Sequence, residues 1–149
     1  MTQILITVGT TAFNTLVKAA DKQLREKYDL TFQIADGDCE PYNQNCFKFS
    51  ENIDAYYQAA DLVITHGGAG TIYRLLELNK KIVIVPNLER LDSHQTDISE
   101  YMQNNSHAIV CDDLDSIEQF VEIALKSEFV KYQTDEFFGI ETITQFLDI

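Results

Sequence analysis

Basic side chains are scarce in this 149-residue sequence, which sets eleven lysines and arginines against 24 aspartates and glutamates for a formal charge of −13. A field of that sign repels phosphate-rich polymers and anionic lipid surfaces, so no nucleic acid is expected as a partner. A small anion is still admissible, because backbone N–H groups and a helix N-terminus act inside the screening length of about 10 Å. Cysteine is sparse too. Cys39, Cys46 and Cys111 are odd in number and form no CxxC pair, which argues against a disulfide framework and a zinc site and fits a reducing, cytoplasmic setting. No run approaches the ~18 consecutive apolar residues of a membrane span, and no basic region with a cleavage site precedes the first strand-like run. Direct membrane insertion is therefore not expected, and any recruitment to the cytoplasmic face of a membrane is expected through a partner. Low-complexity tracts and repeats of about 20 to 50 residues are missing as well, which removes linkers and solenoids.

What remains is the composition of a folded domain, 45% apolar and 23% charged. The length suits one domain with a real core, residues 1–149. Its last part, 127–149, is expected to be a C-terminal helical extension carrying Phe137, Phe138, Ile143, Phe146 and Leu147, although Gly139 weakens it as one continuous helix.

Apolar β-branched runs alternate with helical patterns. Ile4 to Val8 reads as a buried strand closing at Gly9, followed by Phe13, Leu16, Val17, Ala20 and Leu24 at helical spacing with Asn14 as a possible cap, and a second strand at Leu30 to Ala35. Further strands are expected at Phe47 to Phe49, Leu62 to Ile64, Ile82 to Val85 and Ala108 to Cys111. Helices are expected around Ile53 to Ala60, Thr71 to Leu78, Gln95 to Gln103 and Ile117 to Ala124. Such alternation predicts an α/β fold: a doubly wound parallel sheet, covered on both faces, with its ligand beyond the carboxyl ends of the strands.

The most informative stretch is Ile64-Thr65-His66-Gly67-Gly68-Ala69-Gly70-Thr71, a buried strand passing through glycines into a helix. Glycines let a phosphate approach the backbone, and unpaired N–H groups at a helix start lie at the positive end of its dipole. The bland alternative is a tight turn that needs left-handed glycines. No Lys-Ser/Thr follows, so the motif is not a Walker loop. The first loop, Gly9-Thr10-Thr11, lacks GxGxxG, which fits a nicotinamide site poorly, although Asp36 near the end of the second strand leaves that alternative open. Thr10 and Thr11 read equally as cleft-lining hydroxyls or as caps of the first helix. After the Ile82 to Val85 strand, His94, Gln95 and Asp97 offer donors and acceptors suited to sugar hydroxyls, or form an ordinary polar helix start. His66 and His94 have no third ligand at a metal spacing, so no metal is expected.

Together Val8-Gly9-Thr10-Thr11-Ala12-Phe13, His66-Gly67-Gly68-Ala69-Gly70-Thr71 and Asp92-Ser93-His94-Gln95, in this order, resemble the C-terminal domain of family 28 glycosyltransferases over residues 1 to about 112. The likeness is to the family's free-standing form, found as catalytic subunits of dolichol-linked N-acetylglucosaminyltransferases and of bacterial capsule or exopolysaccharide β-1,4-galactosyltransferases. The resemblance implies a single Rossmann-like lobe of the GT-B architecture and a UDP-sugar donor. It also implies inverting transfer of a hexose or N-acetylhexosamine without a cofactor or metal. A membrane-associated protein subunit would complete the heterodimer, supplying the acceptor lobe and the lipid-linked sugar acceptor. By the same resemblance, His66, Gly67, Gly68, Ala69, Gly70 and Thr71 hold the pyrophosphate, Gly9 and Thr10 line the cleft, His94 and Gln95 touch the donor sugar, and Glu77 lies near the ribose. The departure is Arg74, where many relatives place a glutamate. Two rival readings stay open: a non-catalytic nucleotide-sugar-binding or regulatory module, and another nucleotide-dependent enzyme such as a sugar epimerase or a dehydrogenase.

Overall fold

The computed structural model describes residues 1–38, 41, 45–87 and 94–131, the side chains of 94–96 excepted. Six strands form one all-parallel sheet: β1 (Gln3–Thr7), β2 (Asp29–Gln33), β3 (Asn45–Phe47), β4 (Leu62–His66), β5 (Lys81–Val85) and β6 (Ile109–Val110). Their order across the sheet is β3-β2-β1-β4-β5-β6. The order reverses direction between β1 and β4, which leaves a crevice at the carboxyl ends of those two strands where ligands of doubly wound sheets bind.

Burial on both faces is why the strands read as continuous apolar runs rather than as alternating patterns. Ile4, Ile6, Leu62, Ile64, Val83 and Val85 point to the layer built by α1 (Asn14–Leu24) and α5 (Ile117–Lys126). Leu5, Val63, Ile82 and Ile84 point to the layer of α2 (Ile53–Ala59), α3 (Ala69–Glu77) and α4 (His94–Asn104). Gln23 locks α1 to α5, donating to the Leu114 carbonyl at 2.6 Å and accepting from the Glu118 N–H at 3.1 Å.

The third strand lies two residues earlier than expected, Asn45–Phe47 instead of Phe47 to Phe49. Its register pairs Phe47 with Gln33, and beyond Lys48 the ladder has no partner because β2 turns away at Ala35, whose φ is +53°. Phe49 is left 54% exposed. The sixth strand shrinks to two residues, and α3 starts at Ala69 rather than at Thr71. The first helix is not side-chain capped. Phe13 holds the cap position, and Asn14, already helical, donates instead to Asp38 at 2.8 Å. Thr10 and Thr11 therefore do not cap it. Residues 127–131 continue α5 without helical structure, and Val130 N–H is tied to the Ser106 carbonyl at 2.9 Å. The rest of the 127–149 extension lies outside the described residues. Among the described residues no helix is long and apolar enough to cross a membrane.

Candidate functional site

At the crevice the first loop and the β4–α3 junction face each other across a single imidazole. Gly9, with φ +72°, follows β1 in a backbone conformation that favours glycine. His66 ends β4, half-buried, with Nδ1 at 3.2 Å from Thr65 Oγ1. A Cβ added at Gly9 would sit 2.7 Å from His66 Nε2, and one added at Gly68 would sit 2.2 Å from the same atom. The ring thus fills a slot that exists only because both flanking residues are glycine.

Gly68 caps α3 at φ −75°, ψ 126°, a backbone that any residue adopts, and Gly70 has no positive φ either. The bland reading of these two glycines as left-handed turn residues therefore fails. What Gly68 supplies is room for the imidazole. Gly70 is exposed, and a Cβ there would meet nothing within 4 Å, so it leaves the helix start open.

The first intrahelical bond of α3 runs from Ile72 N–H to the Gly68 carbonyl at 3.1 Å, which places the N–H groups of Ala69, Gly70 and Thr71 ahead of the helical ladder. No acidic residue occupies that first turn. The arrangement offers an anion aligned donors, a positive dipole end and backbone free of bulky side chains.

Behind this surface are two residues that the sequence reading did not single out. Gln33, 4% exposed at the end of β2, accepts at Oε1 from Thr7 Oγ1 (2.5 Å), Val8 N–H (3.1 Å) and Gly9 N–H (3.0 Å). Its Nε2 donates to the carbonyls of Gly9 and Lys48, each at 2.8 Å. Tyr57 of α2 is buried, and its hydroxyl interacts with the side chains of Thr71 and Thr7. Burial raises its pKa, with the Thr71 hydrogen bond opposing. A polar residue interrupting the strand-like run Leu30 to Ala35 is the available sign for Gln33.

The remaining expected residues divide. Thr10 is exposed beside Gly9, and Gly67 is buried next to His66. Glu77 stands eight residues beyond Ala69, about 12 Å along the axis at the helical rise, and is therefore away from the α3 start. Its carboxylate accepts from Arg74 Nη1 at 2.9 Å. Arg74 also grips Asp54 of α2, Nη2 to Oδ2 at 2.6 Å and Nε to both oxygens at 3.2 Å. That pairing pulls the Asp54 carboxyl below its ordinary range and raises the guanidinium further. His94 and Gln95 open α4 after β5, on the same sheet edge, but their side chains lie outside the described residues, as do Asp92 and Ser93. A cleft of about 530 Å³ opens at that edge between Phe13, Val85, Pro86 and Ser99. A smaller one of about 340 Å³, around Leu76, Lys81 and His107, sits near the opposite ends of the strands.

With the crevice defined, its glycine-rich junction can be set against known proteins. The sequence profile of the glycosyltransferase family 28 C-terminal domain matches residues 3–137. The chain belongs to this family. It is 30% identical over 122 residues to the UDP-N-acetylglucosamine transferase subunit ALG13 of Homo sapiens, covering 72% of the chain and 11% of that protein. It is 38% identical over 81 residues to the UDP-N-acetylglucosamine--N-acetylmuramyl-(pentapeptide) pyrophosphoryl-undecaprenol N-acetylglucosamine transferase of Streptococcus pneumoniae (strain CGSP14), covering 52% of the chain and 23% of that enzyme. The family 28 chain thus matches only a minor part of either relative's length. The NMR solution structure of ALG13 superposes with a TM-score of 0.66 at 18% identity, covering 96% of this chain and 97% of the other, which establishes a shared fold. The architecture is a Rossmann-like lobe of the GT-B type, as the family resemblance implied, built on the doubly wound parallel sheet expected from the alternating elements.

Proposed function

We propose that this family 28 domain is the donor-binding catalytic subunit of a two-component inverting glycosyltransferase. It transfers a hexose or N-acetylhexosamine from a UDP-sugar to a lipid-linked acceptor in exopolysaccharide or glycan biosynthesis. The observation that carries the reading is the open start of α3, where Gly68 and Gly70 leave the Ala69 to Thr71 amides accessible at the switch point of the sheet. Supporting it, one relative is a UDP-N-acetylglucosamine transferase subunit and another acts on a pyrophosphoryl-undecaprenol acceptor, by their names.

In this reading the diphosphate of the donor lies on the α3 amides. As the bond between the anomeric carbon and the phosphate oxygen breaks, negative charge grows on the departing UDP. Preorganised N–H donors are worth roughly 3 kcal/mol each when aimed at such a charge. Those donors do the work of a metal, and no cofactor is required. His66, wedged against Gly9, closes the first loop onto the phosphates. His94 and Gln95 at the start of α4 read the sugar hydroxyls. Glu77 serves the ribose only if it exchanges its Arg74 partner for the nucleoside.

The acceptor hydroxyl must also lose a proton, and that base is assigned to the acceptor-lobe subunit. This partner is membrane-associated and recruits an otherwise cytoplasmic chain. The test is reconstitution. The chain alone should bind UDP weakly and turn over little UDP-sugar, and the companion subunit should restore transfer. Substantial turnover by the isolated chain would overturn the split arrangement, and uptake of NAD in place of UDP would point to a dehydrogenase.

A further inference from the structure

The last residue of β2 carries a side chain that behaves as an extra peptide group. The register of β1 with β2 runs as far as Thr7 opposite Gln33. From there β2 turns toward the end of β3, where Ile34 N–H donates to the Phe47 carbonyl at 2.9 Å and Ala35 N–H to the Lys48 carbonyl at 3.1 Å. Val8 N–H still reaches the Gln33 carbonyl at 3.2 Å, but Gly9, the residue with the left-handed φ, is met by the Gln33 side chain. Oε1 accepts from Gly9 N–H at 3.0 Å and Nε2 donates to the Gly9 carbonyl at 2.8 Å. A carboxamide has the donor and acceptor of a peptide, so it grips Gly9 as a neighbouring strand would.

The remaining bonds fix the direction of that grip. Nε2 gives its second proton to the Lys48 carbonyl at 2.8 Å, and Oε1 also accepts from Thr7 Oγ1 and Val8 N–H. Turning the amide over would set its NH2 against the N–H groups of Val8 and Gly9, so only one orientation satisfies its partners. Packing gives no reason for a glutamine here, since a buried polar group costs stability unless it is paired. What the grip holds is the wall beside His66. A Cβ on Gly9 would stand 2.6 Å from His66 Cε1 and 2.7 Å from Nε2, which puts the glycine backbone directly against the imidazole. Glycine is the residue with the widest backbone freedom and has no side chain to anchor it, so the place of this wall depends on the carboxamide.

We propose that Gln33 is a positioning residue of the donor site: its carboxamide fixes the Gly9 peptide, and with it the first loop and the seat of the His66 ring, without touching the ligand. The inference rests on the reading of this sheet edge as a diphosphate site.

The test uses the full chain with UDP as the probe in NMR titrations, at a temperature where each variant is folded. Gln33→Met keeps length and neutrality and removes the carboxamide. Thr7→Val deletes one bond to the same Oε1 but leaves both Gly9 bonds in place, so it controls for lost stability. Gln33→Met should speed exchange of the Gly9 amide proton by at least about tenfold, because that proton loses its acceptor. It should also weaken UDP binding by about five- to tenfold, since affinity falls with the fraction of chains that hold the loop in place. Thr7→Val should bind UDP within about twofold of wild type, the Gly9 bonds being intact. UDP affinity unchanged in Gln33→Met, or lowered equally in Thr7→Val, refutes the assignment. A second reading needs no variant: in wild type, UDP should shift the Gln33 side-chain NH2 resonances together with the Gly9 amide. Should Gln33→Met not fold, that reading decides, and NH2 signals unmoved by saturating UDP overturn the proposal. If wild type takes up no UDP, the diphosphate reading itself fails, a distinct result.

Discussion

Alanine at Gly68 tests the cradle by a single methyl group. The backbone there, φ −75° and ψ 126°, accepts any residue, so the substitution brings no conformational strain. The methyl carbon would fall 2.2 Å from His66 Nε2 and 2.9 Å from Cε1, whereas carbon contacts settle at about 3.5 Å or more. The ring would have to move by about an ångström, a rotation that gives up its 3.2 Å contact with Thr65 Oγ1. Losing one part-buried hydrogen bond and the packing of the ring should cost about 1–2 kcal/mol of stability. For a chain of this size that lowers the thermal midpoint by about 2–8 °C. UDP affinity, measured by calorimetry at a temperature where the variant is folded, should fall at least about tenfold as the ring intrudes on the phosphate space. Gly70→Ala is the control. Its Cβ meets nothing within 4 Å, and inside a helix alanine is favoured over glycine by up to about 1 kcal/mol. Gly70→Ala should raise the midpoint, because its methyl leaves the His66 ring in place. A Gly68→Ala protein with wild-type midpoint and wild-type UDP affinity would refute the wedge.

Other consequences are simpler to check. Arg74→Ala should cost little thermal stability at neutral pH, because its ion pairs with Asp54 and Glu77 are exposed. What it does remove is pH-dependent: the depressed Asp54 carboxyl contributes stability above the ordinary carboxylate range and loses it as the pH falls through the lowered folded value, so wild type and variant should converge in acid melts. Mapped alkylation at pH 8.5 should label the exposed Cys46 well before Cys111, whose thiol burial pushes up to about 11; comparable rates would contradict that burial. Leu75→Ala, in the fully buried face of α3, should destabilise by about 2–4 kcal/mol in denaturant melts, and a loss under 1 kcal/mol would place the helix wrongly.

Much of this fold can be read from the residues. Ile4 to Val8, Leu62 to Ile64 and Ile82 to Val85 are buried on both faces, so apolar β-branched character alone marks them as strands of a parallel sheet. The helix after the HGGAGT run is equally visible, since strand, glycines and amphipathic period follow without a break. The exact edge of β3 is not, because Phe47 and Phe49 look alike locally and only the turn of β2 at Ala35 stops the ladder. At the site, His66, Gly68 and Gly70 stand out by type, but their division of labour does not. That Gly68 makes room for a ring and Gly9 flanks it from another loop depends on β1 and β4 being neighbours. Arg74 with Glu77 follows a helical i, i+3 spacing, whereas Asp54 joins them only through the packing of α2 on α3. Gln33 carries no motif as a glutamine in a strand; its meaning lies in five hydrogen bonds to the end of β1, the loop after it and Lys48 beyond β3.

The most direct test of the account is a UDP titration of the isotopically labelled chain, followed at its backbone amides with and without a companion acceptor-lobe subunit. The largest shifts should fall on Gly68, Ala69, Gly70 and Thr71 at the start of α3, with Gly9 moving alongside. Shifts concentrated elsewhere, or no uptake under either condition, would contradict it.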